Sequence, residues 1–168
     1  MRFARLALPA LLCASLSAPL FAADTIDADD FVDEASAGGI AEIEGGKLAL
    51  EKSSSASVKT FAQQMIDDHG AANRELAVLA REKKLEVATE AELMSKAKAL
   101  ILKLRDGENF DEAYANNQVA AHEKTIELFK EAAASDDKEI AAWATKTLPK
   151  LEHHLQMARD LAATHKKP

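Results

Sequence analysis

The chain has 168 residues, of which 21 are Lys or Arg and 28 are Asp or Glu, giving a net charge of −7. A surface of that sign makes nucleic acid a poor partner. A single Cys excludes a disulfide framework, and the length suits one domain that buries one core without covalent staples.

The first residues read as a secretory leader. Arg2 and Arg5 precede an apolar run from Leu6 to Leu12, and Ser15, Ser17 and Pro19 lead to the small pair Ala22-Ala23, where cleavage is expected. Residues 1–23 are therefore assigned as a signal peptide and 24–168 as one helical domain. The apolar run is too short, and too interrupted by Pro9 and Pro19, for a membrane span, and nothing later approaches the roughly 20 apolar residues one needs. Cys13 lies in this leader behind Leu12, where a lipid-anchor signal would want a small residue. Its removal leaves no thiol chemistry, and loss of Arg2 and Arg5 takes the net charge from −7 to −9.

Beyond the leader no strand alternation of useful length occurs, and Ala, Leu, Glu and Lys dominate, so the fold class is all-α. A first helix is expected from about Asp27 to Lys52, followed by a short serine turn, Ser53-Ser54-Ser55. A second should run from Ser55 to Lys84 with the seam Val58, Ala62, Met65, His69, Ala72, Leu76 and Leu79, spaced alternately four and three. The short turn makes these two antiparallel. The pattern Thr89-Glu90-Ala91-Glu92 reads as a capping box for a shorter helix to about Leu104, placed as a crossover. Asn109-Phe110-Asp111-Glu112 reads as another, opening a helix to about Ala134 with inner stripe Ala115, Val119, His122, Ile126, Phe129 and Ala133. The last helix, Asp136 to Thr164, is expected to kink at Pro149.

Helical phase turns four polar groups inward. Glu42 falls among Phe31, Ala35, Gly39, Gly46 and Ala49, whereas Glu44 faces away. His69 and His122 sit in the seams given above. His154 shares a face with Trp143, Thr147, Leu151, Ala158 and Leu161, while its neighbour His153 follows Lys146 and Lys150 outward. Glu42 and His69 lie about 12 and 15 residues from the first turn, or roughly 18 and 22 Å along their helices, and His122 is also mid-helix, so the groups can meet. Gly38, Gly39, Gly45 and Gly46 near Glu42 indicate close helix approach or room for a ligand.

One Glu and three His suit a single Zn, Fe, Mn or Cu ion. Asn73, Tyr114, Gln118 and Thr125, on the same faces, are placed to orient the imidazoles by hydrogen bonds. A metal-free buried network fixing helix register fits the same residues, with binding then left to the acidic surface as a structural or protein-interaction module. The di-iron pattern of bundles needs Glu three residues before His, and here those positions are Ile66, Val119 and Leu151, so ferroxidase or oxygenase chemistry does not follow. No Gly-rich phosphate loop or other catalytic motif is identified, so nothing marks the chain as an enzyme. Asp67-Asp68 reads as a solvated flank of the second helix. Nothing in the pattern names a protein partner or chooses between monomer and homo-oligomer.

The run Gly38-Gly39-Ile40-Ala41-Glu42-Ile43-Glu44-Gly45-Gly46-Lys47-Leu48-Ala49, then Val58-Lys59-Thr60-Phe61-Ala62 with Met65-Ile66-Asp67-Asp68-His69, resembles the DUF4142 family. Phe110-Asp111 with Tyr114 and His122, and Leu148-Pro149 with His154-Leu155, extend the resemblance from about Asp27 to Leu161. It implies an exported bacterial protein with a ferritin-like four-helix bundle and an additional crossover helix, and it brings no established activity. The family's recurring Glu and His map onto Glu42, His69, His122 and His154. An outer-membrane label attached to such proteins fits poorly, because an all-helical chain cannot build a β-barrel. The periplasm, with peripheral association at the envelope, is the expected location.

Overall fold

The computed structural model describes residues 26–166, all-helical apart from turns; the expected leader with Cys13 lies outside them. Five helices follow in order: α1 (Ala28–Lys52), α2 (Ala56–Lys83), α3 (Leu93–Lys103), α4 (Gly107–Ala133) and α5 (Lys138–His165). None of them is long and apolar enough to cross a membrane.

Local signals account for several boundaries. Ser55 caps α2 by accepting from the Val58 amide, and Asp137 caps α5 through the amides of Glu139 and Ile140. At its other end α2 stops at Lys84, whose left-handed backbone (φ 61°) lets the Leu85 amide return to the Ala80 carbonyl. The two expected capping boxes do not cap. Thr89 lies in a bend and α3 begins only at Leu93, with no side-chain cap at Glu92. α4 begins earlier than Asn109, at Gly107, whose φ of 54° bends the chain into the helix after Asp106. α5 passes through Pro149 as one helix, with the proline exposed on its outer side.

Contacts at the helix ends fix the topology. Ser55 and Ser57 meet His165, so the start of α2 lies beside the end of α5. Lys83 pairs with Asp137 and Glu139, which puts the end of α2 beside the start of α5. Lys52 donates to the Lys103 and Arg105 carbonyls and to Asp106, so α1 ends where α4 begins. α2 and α4 therefore start at the same end and run parallel, and the segment between them must return along the length of the bundle. It is fastened at both ends to α1, by Lys52 at one and by the Ala88 amide donating to the Ser36 hydroxyl at the other. α3 is the middle of that crossover.

The four long helices pack as two hairpins, α1 with α2 and α4 with α5, joined by α1 against α4 and α2 against α5. Their core is divided along its length. One cluster holds Val58, Phe61, Met65, Phe110, Tyr114 and Leu161. The other holds Phe31, Leu76, Ile126, Phe129, Ile140 and Leu151. A layer of buried polar side chains separates them.

Candidate metal centre

Each helix of the bundle contributes to that layer through the phase anticipated from its sequence. Glu42, His69, His122 and His154 are all buried, at 8 %, 7 %, 1 % and 1 % exposure, whereas Glu44 and His153 are exposed. The three imidazoles form a nearly equilateral triangle, with ring centroids 5.6 Å apart for His69 and His122, 5.4 Å for His69 and His154, and 5.5 Å for His122 and His154. One ring nitrogen from each lies within 4.8 Å of one from both others.

Two hydrogen bonds decide which nitrogens point into the triangle. His122 Nδ1 lies 2.9 Å from the Gln118 carbonyl one turn earlier. A carbonyl only accepts, so Nδ1 carries the proton and Nε2 keeps its lone pair. His154 Nε2 lies 2.9 Å from Asp68 Oδ2 and donates to it, which leaves Nδ1 as the lone-pair nitrogen. His122 Nε2, His154 Nδ1 and His69 Nε2 are buried and have no hydrogen-bond partner among the described residues. Two lone pairs thus converge with a third ring nitrogen in a space closed to solvent.

The electrostatics keep His69 and His154 neutral. Burial, reinforced by the positive charge that His122 and His154 would carry, lowers His69 to about 3. Burial also lowers His154 to about 4 against the opposing pull of Asp68. Neutral imidazole is the form that ligates metal. An ion about 2.1 Å from each nitrogen would need them no more than about 3.6 Å apart, so the rings would draw in by roughly 1 Å at most.

Glu42 adjoins this triangle without joining the group of mutually close donors. Burial raises its pKa, opposed by the positive charge that His122 would carry, the facing Gln118 side chain and Lys98. Its Oε2 has no hydrogen-bond partner among the described residues. It stands between two spaces: a cavity of about 20 Å³ shared with His69, Asn73, Thr125 and Trp143, and a cleft of about 140 Å³ beneath α3 lined also by Glu34, Lys98 and Lys124.

The four residues expected to orient the imidazoles divide. Gln118 does so, but through its backbone carbonyl. Tyr114 is buried with its hydroxyl unpartnered among the described residues, and burial together with the Glu42 charge raises its pKa well above 10. Asn73 donates to the Ser36 carbonyl across the α1–α2 contact, while Thr125 lines both the small cavity and the cleft beneath α3. Of the four glycines near Glu42, Gly39 and Gly46 serve close packing, whereas a Cβ on Gly38 would meet nothing within 4 Å. A Cβ on Gly46 would stand 2.8 Å from the Ala62 carbonyl oxygen, and one on Gly39 would collide with the Asn73 amide.

Two acidic residues were missed. Asp68 is not a solvated flank: it reaches across to α5, holding His154 through Oδ2 and Lys150 through Oδ1 at 2.7 Å. These bonds overcome partial burial and hold its pKa below the usual carboxylate value. Its position immediately before His69, with Lys150 one turn before His154 on α5, is the only sequence signal it gave. Asp111, read as part of a capping box, is instead 4 % exposed and heads an inward polar stripe on α4 that continues through Tyr114, Gln118 and His122.

No curated protein and no solved structure matches the chain. The model of a family described as a domain of unknown function, DUF4142, matches residues 15–161, which span the whole polar layer and the helices that build it up to the last turn of α5. The chain belongs to the DUF4142 family.

Proposed function

We propose that this protein is an exported, periplasmic one-domain bundle of ferritin-like architecture that binds one transition-metal ion at His69, His122 and His154, with Glu42 alongside as a charge-compensating or fourth ligand. Its role would be metal handling or protection of the envelope under stress. The observation that carries this reading is the convergence of three buried ring nitrogens from three helices, at least two of them fixed as lone-pair donors by hydrogen bonds made on the far side of the ring. Lone pairs facing one another repel; a cation turns that repulsion into ligation. A metal-free register network would aim donors at acceptors, an arrangement the two outward hydrogen bonds do not favour.

The ligand set is nitrogen-rich and suits Zn²⁺, Fe²⁺, Mn²⁺ or Cu²⁺ without choosing among them. It does not suit a carboxylate-bridged pair of irons, because Ile66, Val119 and Leu151 occupy the positions where such a centre needs glutamates. The long crossover and the parallel run of α2 and α4 support the ferritin-like architecture, and the amino-terminal pattern supports export.

Elemental analysis of the processed protein, purified from periplasm without chelator or affinity tag, tests the reading. About one metal per chain is expected, lost in a His69→Ala/His122→Ala variant. Metal-free protein that neither takes up any of these ions nor melts higher in their presence would overturn it, leaving the layer as a structural network.

A further inference from the structure

α3 presents a surface unlike the rest of the molecule. Six large hydrophobic residues are exposed among those described, and five of them, Leu93, Met94, Leu100, Ile101 and Leu104, lie on or at the end of this one helix, at 80 %, 67 %, 62 %, 56 % and 85 % exposure. Between Leu93 and Arg105 the chain carries Lys96, Lys98, Lys103 and Arg105 and no acidic residue, in a protein whose net charge is −7.

The arrangement around the helix is ordered. At about 100° per residue, Leu93, Ala97, Leu100 and Leu104 with Met94 and Ile101 form a stripe roughly 120° wide. Lys98 borders it on one side, and Lys96 and Lys103 on the other. The opposite side, with buried Leu102 and partly buried Ser95 and Ala99, rests on the bundle. Lys96 pairs with Glu90, and the ends of the crossover are tied to α1, so the helix is held with its apolar stripe facing outward.

From this we infer that α3 docks on the surface of an anionic phospholipid membrane, with the stripe entering the boundary between headgroups and acyl chains and the flanking lysines reaching lipid phosphates. A short apolar stripe edged on both sides by Lys is the form an interfacial helix takes, because the lysine stems run along apolar surface while their ammonium groups meet the headgroups. A second copy of the chain fits less well, since a two-fold contact through this stripe would bring the basic residues of one α3 against those of the other. The inference does not rest on metal binding.

Flotation with vesicles of phosphatidylcholine alone, or of three parts phosphatidylcholine to one part phosphatidylglycerol, tests it with the processed full chain. The protein is expected to float with the anionic vesicles, to stay behind with the neutral ones, and to be released by salt. Leu100→Glu/Leu104→Glu, both exposed in the folded protein, should abolish flotation while the circular dichroism spectrum and Tm match wild type. Lys96→Gln/Lys103→Gln should weaken partition about thirtyfold. Absence of flotation with anionic vesicles, equal flotation with neutral ones, or unchanged flotation of the Leu100→Glu/Leu104→Glu protein would each overturn the inference. Light scattering that shows a wild-type dimer broken by the same two substitutions, without flotation, would assign the stripe to a second copy instead.

Discussion

His154 Nε2 and Asp68 Oδ2 are 2.9 Å apart, and that hydrogen bond ties α5 to α2 while setting which nitrogen of the imidazole carries its lone pair. Asp68 also accepts from Lys150 on the same helix as His154, so its carboxylate is held from two directions. Asp68→Asn keeps an oxygen but loses the charge and can present N–H to the ring. Metal affinity measured by chelator competition is expected to fall about 10- to 100-fold, with the helical content unchanged. An affinity equal to wild type would show that the carboxylate does not act through His154.

Adjacent histidines on α5 should behave oppositely. His154 is 1 % exposed within the triangle, and His153 is on the outside. His154→Gln should abolish stoichiometric metal uptake and lower stability by about 1–3 kcal/mol, because its hydrogen-bond partners lose a matched group. His153→Gln should leave both unchanged within about 0.5 kcal/mol. Titrating both variants with metal and melting them side by side checks the phase of the whole helix.

Acid should destabilise the metal-free protein across a defined window. His69 and His154 titrate at about 3 and about 4 in the folded state, below their ordinary 6.5. The unfolded chain therefore binds protons that the folded one refuses. Stability is full above pH 6.5 and falls as pH drops towards 4, with a slope approaching about 1.4 kcal/mol per pH unit for each ring. Glu42, raised by burial above 4.5, works against this slope, since its protonated form is the one the fold prefers. Thermal melts in chelator between pH 7.5 and 4 should show a shallower dependence for His69→Gln than for wild type. Identical slopes would mean that His69 is not buried neutral.

Glycines in the same helix should respond with opposite sign to one methyl group. A Cβ on Gly38 meets nothing within 4 Å, so Gly38→Ala should stabilise α1 by about 0.5–1 kcal/mol. A Cβ on Gly46 meets the Ala62 carbonyl oxygen and the Ile66 side chain at 2.8 Å, so Gly46→Ala should destabilise by about 1–3 kcal/mol as α1 and α2 are pushed apart. Denaturant unfolding of the two variants measures the difference directly.

Periodicity made the inward positions legible. All four of Glu42, His69, His122 and His154 are buried, because a four-three apolar repeat over 25 or more residues leaves little freedom in helical phase. Long-range effects were less legible. Asp68 sits at the edge of its stripe, and only the packing of α5 against α2 decides that it faces a histidine. The Thr89 and Asn109 boxes matched a local cap pattern. The Ala88 bond to Ser36 and the Lys52 clamp on the end of the crossover accompany different starts for α3 and α4. On α4 the inner stripe was drawn through Ala133, yet the buried residue is Ala132, a drift of one position by the helix's last turn.

Glu42 and His69 belong to the α1–α2 hairpin, and His122 and His154 to the α4–α5 hairpin. Neither half can assemble the triangle alone, although each is formed mainly by contacts between sequence neighbours. The polar centre is thus a record of correct docking: it exists only after two locally built units have met in register, and a shift of either by one helical turn, about 5.4 Å, would dismantle it while leaving every helix intact.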